Sequence, residues 1–261
     1  MKHPDVIYYQ DELNDEFAGD SIKPKVIDEH YNYGGHSLTF TLLRFFWYRI
    51  VFLPALVLFL KIKYRLKIVN RNVIKPYRKQ AIFMYANHTN NVADAYIPTL
   101  VGFPHSVYVI VNANNVSMPV LGKINPYLGA LPLPDTMAAT KNFLDIIKLR
   151  IKQNAAIMIY PEAHIWPFYT KIRPFKDASF RYPIQNGCPV FCFTNTYHKR
   201  RFSKIPQIIT YVDGPFFPDE SLPKKEKQIE LRNRVYKAMC ERSKMNNVEI
   251  IKYIKKTDQE V

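Results

Sequence analysis

Continuous apolar runs that alternate with helix-like segments constrain the fold of this 261-residue chain most strongly. The runs AIFMYA (81–86), SVYVIV (106–111), AAIMIY (155–160) and CPVFCFTN (188–195) lack the polar alternation of a half-exposed strand. Such runs are typical of strands covered on both faces, and covered strands are a feature of parallel sheets. The sequence therefore predicts an α/β fold with a layered, largely parallel β-sheet flanked by helices.

Helical periodicity appears between and after these runs. Residues 136–154 predict an amphipathic helix, with Phe143 and Ile147 lying away from a polar stripe and Thr136 or Asp135 capping its start. A further strand is predicted at 206–214, and residues 224–245 predict a basic closing helix. Strands alternating with helices in this way support the layered α/β arrangement.

Charge is distributed unevenly along the chain. The formal net charge is +15, but residues 1–30 carry eight acidic side chains and three lysines, a net −5, which leaves +20 on residues 31–261. The polar, acidic residues 1–36 are predicted to form a loosely ordered tail. The basic body favours an anionic membrane surface or a phosphorylated substrate as partner. Nucleic acid is not expected, because no recognition module accompanies the charge.

A hydrophobic segment (37–63) follows the tail. Its uncharged part, Ile50 to Leu60, is shorter than the roughly 20 residues that a spanning helix needs, and Pro54 is predicted to kink it. Its aromatic and basic flanks suit the headgroup level of a bilayer. We predict an amphipathic, membrane-associating helix or helix pair lying in one leaflet; a true span and a buried soluble helix are alternatives. The expected location is peripheral or monotopic, on the cytoplasmic face of a membrane.

Polar clusters follow two of the predicted strands. NHTNNVAD (87–94) comes directly after AIFMYA, and PEAH (161–164) comes directly after AAIMIY. Sites in parallel sheets gather at the carboxyl ends of strands. A carboxylate beside one ring nitrogen of a histidine fixes the tautomer, so that the other nitrogen can take a proton from a hydroxyl. His88 with Asp94 is therefore a candidate general base, with a purely structural histidine as the alternative.

The hydroxyl in such a reaction would belong to a substrate. The chain has no G-x-S-x-G nucleophile elbow, and its three cysteines, Cys188, Cys192 and Cys240, include no C-x-x-C pair. Their number and spacing favour small core residues in a reducing cytosolic setting over disulfides or a zinc site. The substrate hydroxyl would then attack an activated acyl group directly.

Four blocks together resemble the glycerolipid acyltransferase superfamily, which includes bacterial 1-acylglycerol-3-phosphate acyltransferases. The blocks are NHTNNVADA, LGALPLPDT, IYPEAHIW with IRPFKDASF, and GCPVFCFT, in the order of the family. The resemblance covers roughly residues 38 to 215. Together with the charge distribution, it predicts three parts: an acidic polar tail (1–36), a membrane-associating helical segment (37–63) and an α/β acyltransferase domain (64–261).

The resemblance also implies roles for residues and substrates. His88 would be the general base and Asp94 would orient it, with a lysophospholipid as acceptor and a thioester of coenzyme A or acyl carrier protein as donor. Neither a further cofactor nor a metal is implied. Glu162 matches the motif glutamate of the family's acceptor site. The candidate substrate-binding residues are Asn87, Glu162, His164, Lys171, Arg173 and Lys176.

Three departures from the family pattern stand out. Five residues rather than four separate the histidine from the aspartate, which predicts a bulge near residues 90–93. Ala163 replaces the glycine that follows the motif glutamate. The second block, at 132–135, lacks the arginine that binds the acceptor phosphate in the family. Substitutes by charge alone are Lys171, Arg173 and Lys176, and an acceptor other than lysophosphatidic acid is the alternative.

Two other functions compete with catalysis of acyl transfer. A catalytically degenerate lipid-binding or membrane-scaffolding protein would use the same helix and charge, and the extra residue in the first block is its main support. A metal hydrolase would need His88, His164, Asp94 and Glu162 as ligands. It is disfavoured because no helical H-x-x-x-H pair presents the histidines.

Overall fold

The apolar runs form strands in the computed structural model of the protein, which describes residues 5–17, 22–34 and 37–256. The strands within these residues are β1 (Asp5–Tyr9), β2 (Lys67–Val69), β3 (Ile82–Ala86), β4 (Val107–Val111), β5 (Ala130–Pro132), β6 (Ala156–Ile159), β7 (Val190–Arg200), β8 (Ser203–Phe216) and β9 (Ile251–Lys255). The predicted α/β fold with a largely parallel sheet is confirmed.

Seven of the described strands form one sheet, in the order β2-β8-β7-β3-β6-β4-β5. β3 pairs in parallel with both β6 and β7, and β4 pairs in parallel with β5 and β6. β8 is antiparallel to β7, so the two strands form a long hairpin. Both strands of this hairpin extend beyond the ranges that the sequence predicts. The carboxyl ends of β3 and β6 share one edge of the sheet, and β7 continues past that edge.

Apolar side chains cover both faces of the central strands. In β3, Phe83 and Tyr85 pack into one hydrophobic cluster, while Ile82 and Met84 pack into a second cluster on the other face. All five residues of β3 are buried. This two-sided burial explains why the strand reads as a continuous apolar run instead of an alternating one.

Helices flank the sheet. Those in the described residues are α1 (Leu38–Arg44), α2 (Leu53–Tyr64), α3 (Ile97–Gly102), α4 (Asn114–Ser117), α5 (Leu121–Leu128), α6 (Met137–Lys152), α7 (Arg181–Asn186) and α8 (Lys224–Ser243). The predicted cap of α6 is present, because Thr136 Oγ1 accepts a hydrogen bond from the backbone N–H of Ala139 at 3.1 Å. Phe143 and Ile147 lie on the buried face of α6, as the periodicity of the sequence predicts.

The hydrophobic segment is helical from Leu38 to Tyr64, with a π-helical section, Phe45–Phe52, between α1 and α2. The backbone N–H of Leu53 bonds to the carbonyl of Tyr48, five residues back. The wider π turn ends beside Pro54, whose ring would clash with a carbonyl four residues back in an α-helix. This stretch is long and apolar enough to cross a membrane, and only 11% of its most apolar window is buried in the protein.

One cation of this segment points into the protein. The guanidinium of Arg44 is buried and donates hydrogen bonds to the carbonyl oxygens of Tyr127 (2.8 Å) and Val107 (3.0 Å). It also lies 4.0 Å from the ring centroid of Tyr108. Arg44 therefore fastens α1 to the body, with its charge satisfied by carbonyl and π partners.

The residues before the helix differ from the loosely ordered tail that the sequence predicts. β1 pairs in parallel with β9, with Asp5 opposite Ile251 and Tyr9 opposite Lys255. Ile27 is fully buried, and its backbone N–H bonds to the Asp135 carboxylate at 2.7 Å. Short strands paired across most of the chain length leave little local signal, which is why the sequence pattern misses them.

Candidate active site

The loop after β3 brings His88 and Asp94 together. His88 Nδ1 lies 3.0 Å from Asp94 Oδ2, so the ring donates to the carboxylate from Nδ1 and keeps its lone pair on Nε2. The His88 side chain is 18% exposed and stacks on the Tyr160 ring, with centroids 4.1 Å apart. The imidazole is therefore held in one tautomer while its open side is reachable from solvent.

Asp94 is a buried carboxylate with several donors. Besides the histidine, Oδ2 accepts the backbone N–H groups of Thr89 at 2.7 Å and Asn90 at 2.8 Å. Oδ1 accepts the side-chain N–H of Asn195 at 3.1 Å. These charge-assisted bonds fix the carboxylate and compensate for its removal from water.

The extra residue of the first block is absorbed by a turn at residues 90–94. Asn90 Oδ1 accepts the backbone N–H groups of Val92 (3.2 Å) and Ala93 (2.8 Å), and the Asp94 N–H bonds to the Asn90 carbonyl (3.1 Å). An asparagine side chain that bonds to backbone two and three residues on stabilises such a turn. The bulge expected at 90–93 is thus formed, and it lets Asp94 reach His88 in spite of the longer spacing.

Asn87 and Asn195 form a buried pair that joins β3 to β7. Asn87 Nδ2 donates to the Asn195 carbonyl (3.0 Å), and Asn87 Oδ1 accepts the Asn195 N–H (2.8 Å). Asn87 is therefore directed into the protein, beneath the site. Sequence reasoning places Asn87 among the substrate-binding candidates and overlooks Asn195 altogether. The available signal was a lone amide at the end of an otherwise apolar strand.

Glu162 lies under the loop after β3, the loop that carries His88. Its side chain is fully buried, and its two oxygens accept the backbone N–H groups of His88 and Arg173, each at 3.1 Å. Burial raises the pKa of the Glu162 carboxyl, and the Arg173 guanidinium, 3.5 Å away, opposes that rise. Glu162 thus ties the loop after β6 to the loop after β3, and its described contacts are with protein groups.

The loop after β6 runs beside the histidine along its backbone. The N–H of Trp166 bonds to the His88 carbonyl at 3.1 Å, and that of Phe168 bonds to the Thr89 carbonyl at 2.8 Å. Ala163 adopts a left-handed backbone with φ of 63°. That conformation explains the glycine that the family pattern has at this position, since only glycine adopts it without strain.

The predicted cations of this region lie in different environments. Arg173 is fully buried and donates to the carbonyls of Glu12 (3.2 Å) and Glu162 (3.2 Å) and to that of His164. Lys171 and Lys176 are exposed on the same segment. Arg173 therefore forms an internal ion pair with Glu162, whereas Lys171 and Lys176 lie on the surface.

An N-terminal strap, residues 5–17, covers the loop after β6. Glu16 Oε2 lies 3.1 Å from His164 Nδ1, and the Asp15 carbonyl accepts the indole N–H of Trp166 at 2.7 Å. Phe17 contacts the edge of Trp166, and Tyr253 of β9 stacks on it with centroids 4.9 Å apart. His164, a predicted substrate-binding residue, is thus paired with an acid that the sequence assigns to a loose tail.

Other chemistries find less support in the described part of the chain. Residues 5–17, 22–34 and 37–256 contain no group of three or more His, Cys, Asp or Glu placed to hold a metal ion. Burial raises the pKa of the Cys188 thiol to about 11 and that of Cys192 well above its ordinary value. Raised thiol pKa values are the opposite of what a nucleophilic cysteine needs.

A carboxylate-oriented histidine at the carboxyl edge of a largely parallel α/β sheet, followed by the PEAH loop, defines an enzyme of the acyltransferase class. A sequence model of the family described as Acyltransferase matches residues 65–194, so this part of the chain belongs to the acyltransferase family. The resemblance to glycerolipid acyltransferases that the four blocks indicate is thereby confirmed.

Comparison with solved structures agrees with the fold. The chain is similar to the crystal structure of the 1-acyl-sn-glycerophosphate (LPA) acyltransferase, PlsC, from Thermotoga maritima, with a TM-score of 0.52 and 18% sequence identity. The match covers 83% of this chain and 100% of that one. No curated protein matches the chain in sequence.

Proposed function

We propose that this protein transfers a fatty acyl group from an acyl thioester to the hydroxyl of a lysoglycerolipid, as a step of phospholipid biosynthesis. The single observation that carries the proposal is the 3.0 Å contact between His88 Nδ1 and Asp94 Oδ2 in a family acyltransferase domain. The donor is a thioester of coenzyme A or of acyl carrier protein.

The reaction balances with the side chains present. The His88 Nε2 lone pair takes the proton of the acceptor hydroxyl while its oxygen bonds to the acyl carbon. The carbon–sulfur bond then breaks, and the proton passes from the imidazolium to the departing thiolate. The buried Asp94 carboxylate stabilises the transient imidazolium, and Glu162 positions the backbone of His88.

The identity of the acceptor headgroup rests on weaker support. The Thermotoga maritima protein is described as acting on 1-acyl-sn-glycerophosphate, which makes that lysolipid the first acceptor to test. Residues 132–135 carry no arginine, and Asp135 bonds to the Ile27 backbone. Lys171 and Lys176 are exposed cations that follow β6 along the chain, so they are candidates for a phosphate contact.

Membrane association is part of the proposal. The helix Leu38–Tyr64 exposes Leu42, Phe45, Leu58 and Ile62, and the basic body is attracted to an anionic bilayer. We place the protein on the cytoplasmic face as a peripheral or monotopic enzyme.

Membrane association is tested by substitutions in the helix. Deleting residues 1–62 would also remove Ile27 and Arg44, which are buried in the body, so the deletion would disturb the fold. Substituting exposed residues of the helix, as in Leu58→Asn with Ile62→Asn, should lower sedimentation with vesicles and leave the fold intact.

The decisive experiment is turnover. The purified chain is incubated with labelled acyl-CoA or acyl carrier protein thioester and a panel of lysolipids, and products are identified by mass. Wild type should form a diacyl product with at least one lysolipid, and His88→Ala should not. Absence of product with every donor and acceptor, in protein that binds vesicles, would favour a lipid-binding protein with a degenerate site.

A further inference from the structure

The β7–β8 hairpin extends well past the catalytic edge of the sheet. Asn195 of β7 is level with the active site, because it bonds to Asp94, yet the strand continues to Arg200. Five residues of strand at about 3.3 Å per residue place the hairpin tip roughly 16 Å beyond Asn195. The tip therefore stands out from the same edge at which the histidine is exposed.

The tip combines an apolar side chain with several cations. Phe202 is 90% exposed, and the Arg201 guanidinium lies 5.0 Å from its ring centroid. The sequence from Thr196 to Gln207 contains no acid, and its basic residues are Lys199, Arg200, Arg201 and Lys204. A protruding aromatic ring among cations matches the headgroup region of a bilayer, where rings insert and cations meet phosphates.

The hairpin is attached to the end of the exposed apolar helix. Arg200 Nη1 donates to the Lys63 carbonyl (2.8 Å), and Gln207 Nε2 donates to the Arg65 carbonyl (2.9 Å). Ile62, the residue directly before Lys63, is exposed on the helix. The Tyr64 hydroxyl also donates to Asn90 Oδ1 of the catalytic loop at 3.4 Å. The helix end, the catalytic loop and the hairpin thus lie at one edge of the molecule.

We propose that residues 198–205 form a second lipid contact, which docks on an anionic bilayer together with the end of α2. Phe202 enters the headgroup layer, and Arg201 and Lys204 bind lipid phosphates. These two adjacent contacts, beside the loop that carries His88, turn the histidine toward the membrane. An acidic carrier protein would also meet the cations. The exposed ring beside an exposed apolar helix favours lipid, because a protein partner would not need both.

Vesicle binding tests this proposal without any acyl donor, so its outcome is independent of the proposed reaction. The full chain is titrated with vesicles of 70% phosphatidylcholine and 30% phosphatidylglycerol, and with pure phosphatidylcholine. Each cation near an anionic surface contributes roughly fivefold in affinity. Arg201→Glu with Lys204→Glu should therefore weaken binding to the anionic vesicles more than tenfold. Phe202→Ser should weaken binding severalfold to both kinds of vesicle.

A matched control separates the hairpin from net charge. Lys79→Glu with Lys152→Glu makes the same charge change at exposed residues that precede β3 and β6, at the opposite edge of the sheet. This variant should lose less than threefold. Equal losses in the two charge-reversed variants, or unchanged binding by both hairpin variants, would overturn the proposal. If the hairpin variants bind vesicles like wild type but no longer use acyl carrier protein thioesters, the hairpin would instead be a binding site for a protein partner.

Discussion

Asn195 Nδ2 donates a hydrogen bond to Asp94 Oδ1 at 3.1 Å, which links strand β7 to the loop that carries the histidine. Asn195 Oδ1 in turn accepts from Thr210 Oγ1 of β8 at 2.7 Å. The amide thus has a defined orientation, and it holds the oxygen of Asp94 that does not face the imidazole. A residue outside the first block therefore helps to fix the position of Asp94.

Asn195→Ala is expected to lower kcat about tenfold with little change in KM, because Asp94 loses a donor and the imidazole loses its fixed orientation. Stability should fall by roughly 1–3 kcal/mol, since the buried Thr210 hydroxyl loses its partner. Steady-state kinetics and urea unfolding measure the two effects. The control is Thr194→Val, where the buried hydroxyl has no hydrogen-bond partner among the described residues; its kcat should not change. Equal kcat losses in both variants would point to general strand damage.

His88→Ala should reduce turnover by a factor of about 10²–10⁴, the usual contribution of a positioned general base. Asp94→Asn is nearly isosteric and should keep the fold, but it removes the negative charge that balances the imidazolium, so kcat should also fall steeply. Circular dichroism checks the fold, and turnover is measured with the lysolipid acceptor that gives product. Wild-type turnover by His88→Ala would exclude the mechanism proposed above.

Ala163→Gly should stabilise the protein by about 0.5–1 kcal/mol. A left-handed backbone costs an alanine roughly 1–2 kcal/mol, and glycine removes this strain. Part of the stabilisation is lost again, because glycine also gives the unfolded chain more conformational freedom. Thermal unfolding of the variant and wild type under one buffer gives the difference. Ala130→Gly in β5 serves as control and should destabilise instead. A destabilised Ala163→Gly protein would show that the alanine methyl makes contacts worth more than the strain.

The stability contributed by Glu162 should depend on pH with a defined sign. Burial raises the pKa of this carboxyl above its ordinary 4.5, so the folded chain holds the proton more tightly than the unfolded chain. That contribution is full below pH 4.5 and is lost as pH rises through the folded-state pKa. The difference in unfolding free energy between wild type and Glu162→Gln should therefore shrink as pH rises from 4.5 toward neutrality.

Urea unfolding at a series of pH values measures this difference, and subtracting the variant removes the contributions of all other groups. Glu226→Gln, an exposed substitution on α8, gives the background behaviour. A difference that grows with pH would mean that attraction to Arg173 outweighs the cost of burial, contrary to the direction expected here.

Removal of residues 1–17 should expose Trp166, which is fully buried beneath the strap. The chain has two tryptophans, so in a Trp47→Phe background the emission of Trp166 alone reports the change and should shift to longer wavelength. The loss of the Tyr9 and Phe17 rings should lower Tm by at least about 4 °C. Val6→Ala on the exposed side of β1 is the matched control. An unshifted emission spectrum would contradict the packing of the strap.

The sequence predicts the parts of this fold that local patterns encode. Apolar runs mark β3 and β6 because these strands are covered on both faces, and helical periodicity marks α6. The contact between His88 and Asp94 is predicted because the two residues share one loop. β1, β9 and the full length of the hairpin are missed, since their pairing depends on distant or polar segments.

The environments of charged residues are the least predictable part. Glu162 and Arg173 look like surface residues by type, and only the folded chain shows that each makes burial of the other tolerable. Arg44 interrupts an apolar run in the sequence, yet its guanidinium lies among backbone carbonyls and against the Tyr108 ring. Assigning such residues to a substrate by charge alone overlooks their partners within the protein.

The pairing of β1 with β9 has a consequence for the order of events during synthesis. The apolar helix leaves the ribosome before residues 251–255, and β1 and Trp166 can pack against β9 only after those residues have been made. In the nascent chain the apolar helix is therefore present before the loop after β6 acquires its final neighbours. The surroundings of the candidate site are thus completed by β9, a strand that contains no residue of the four blocks.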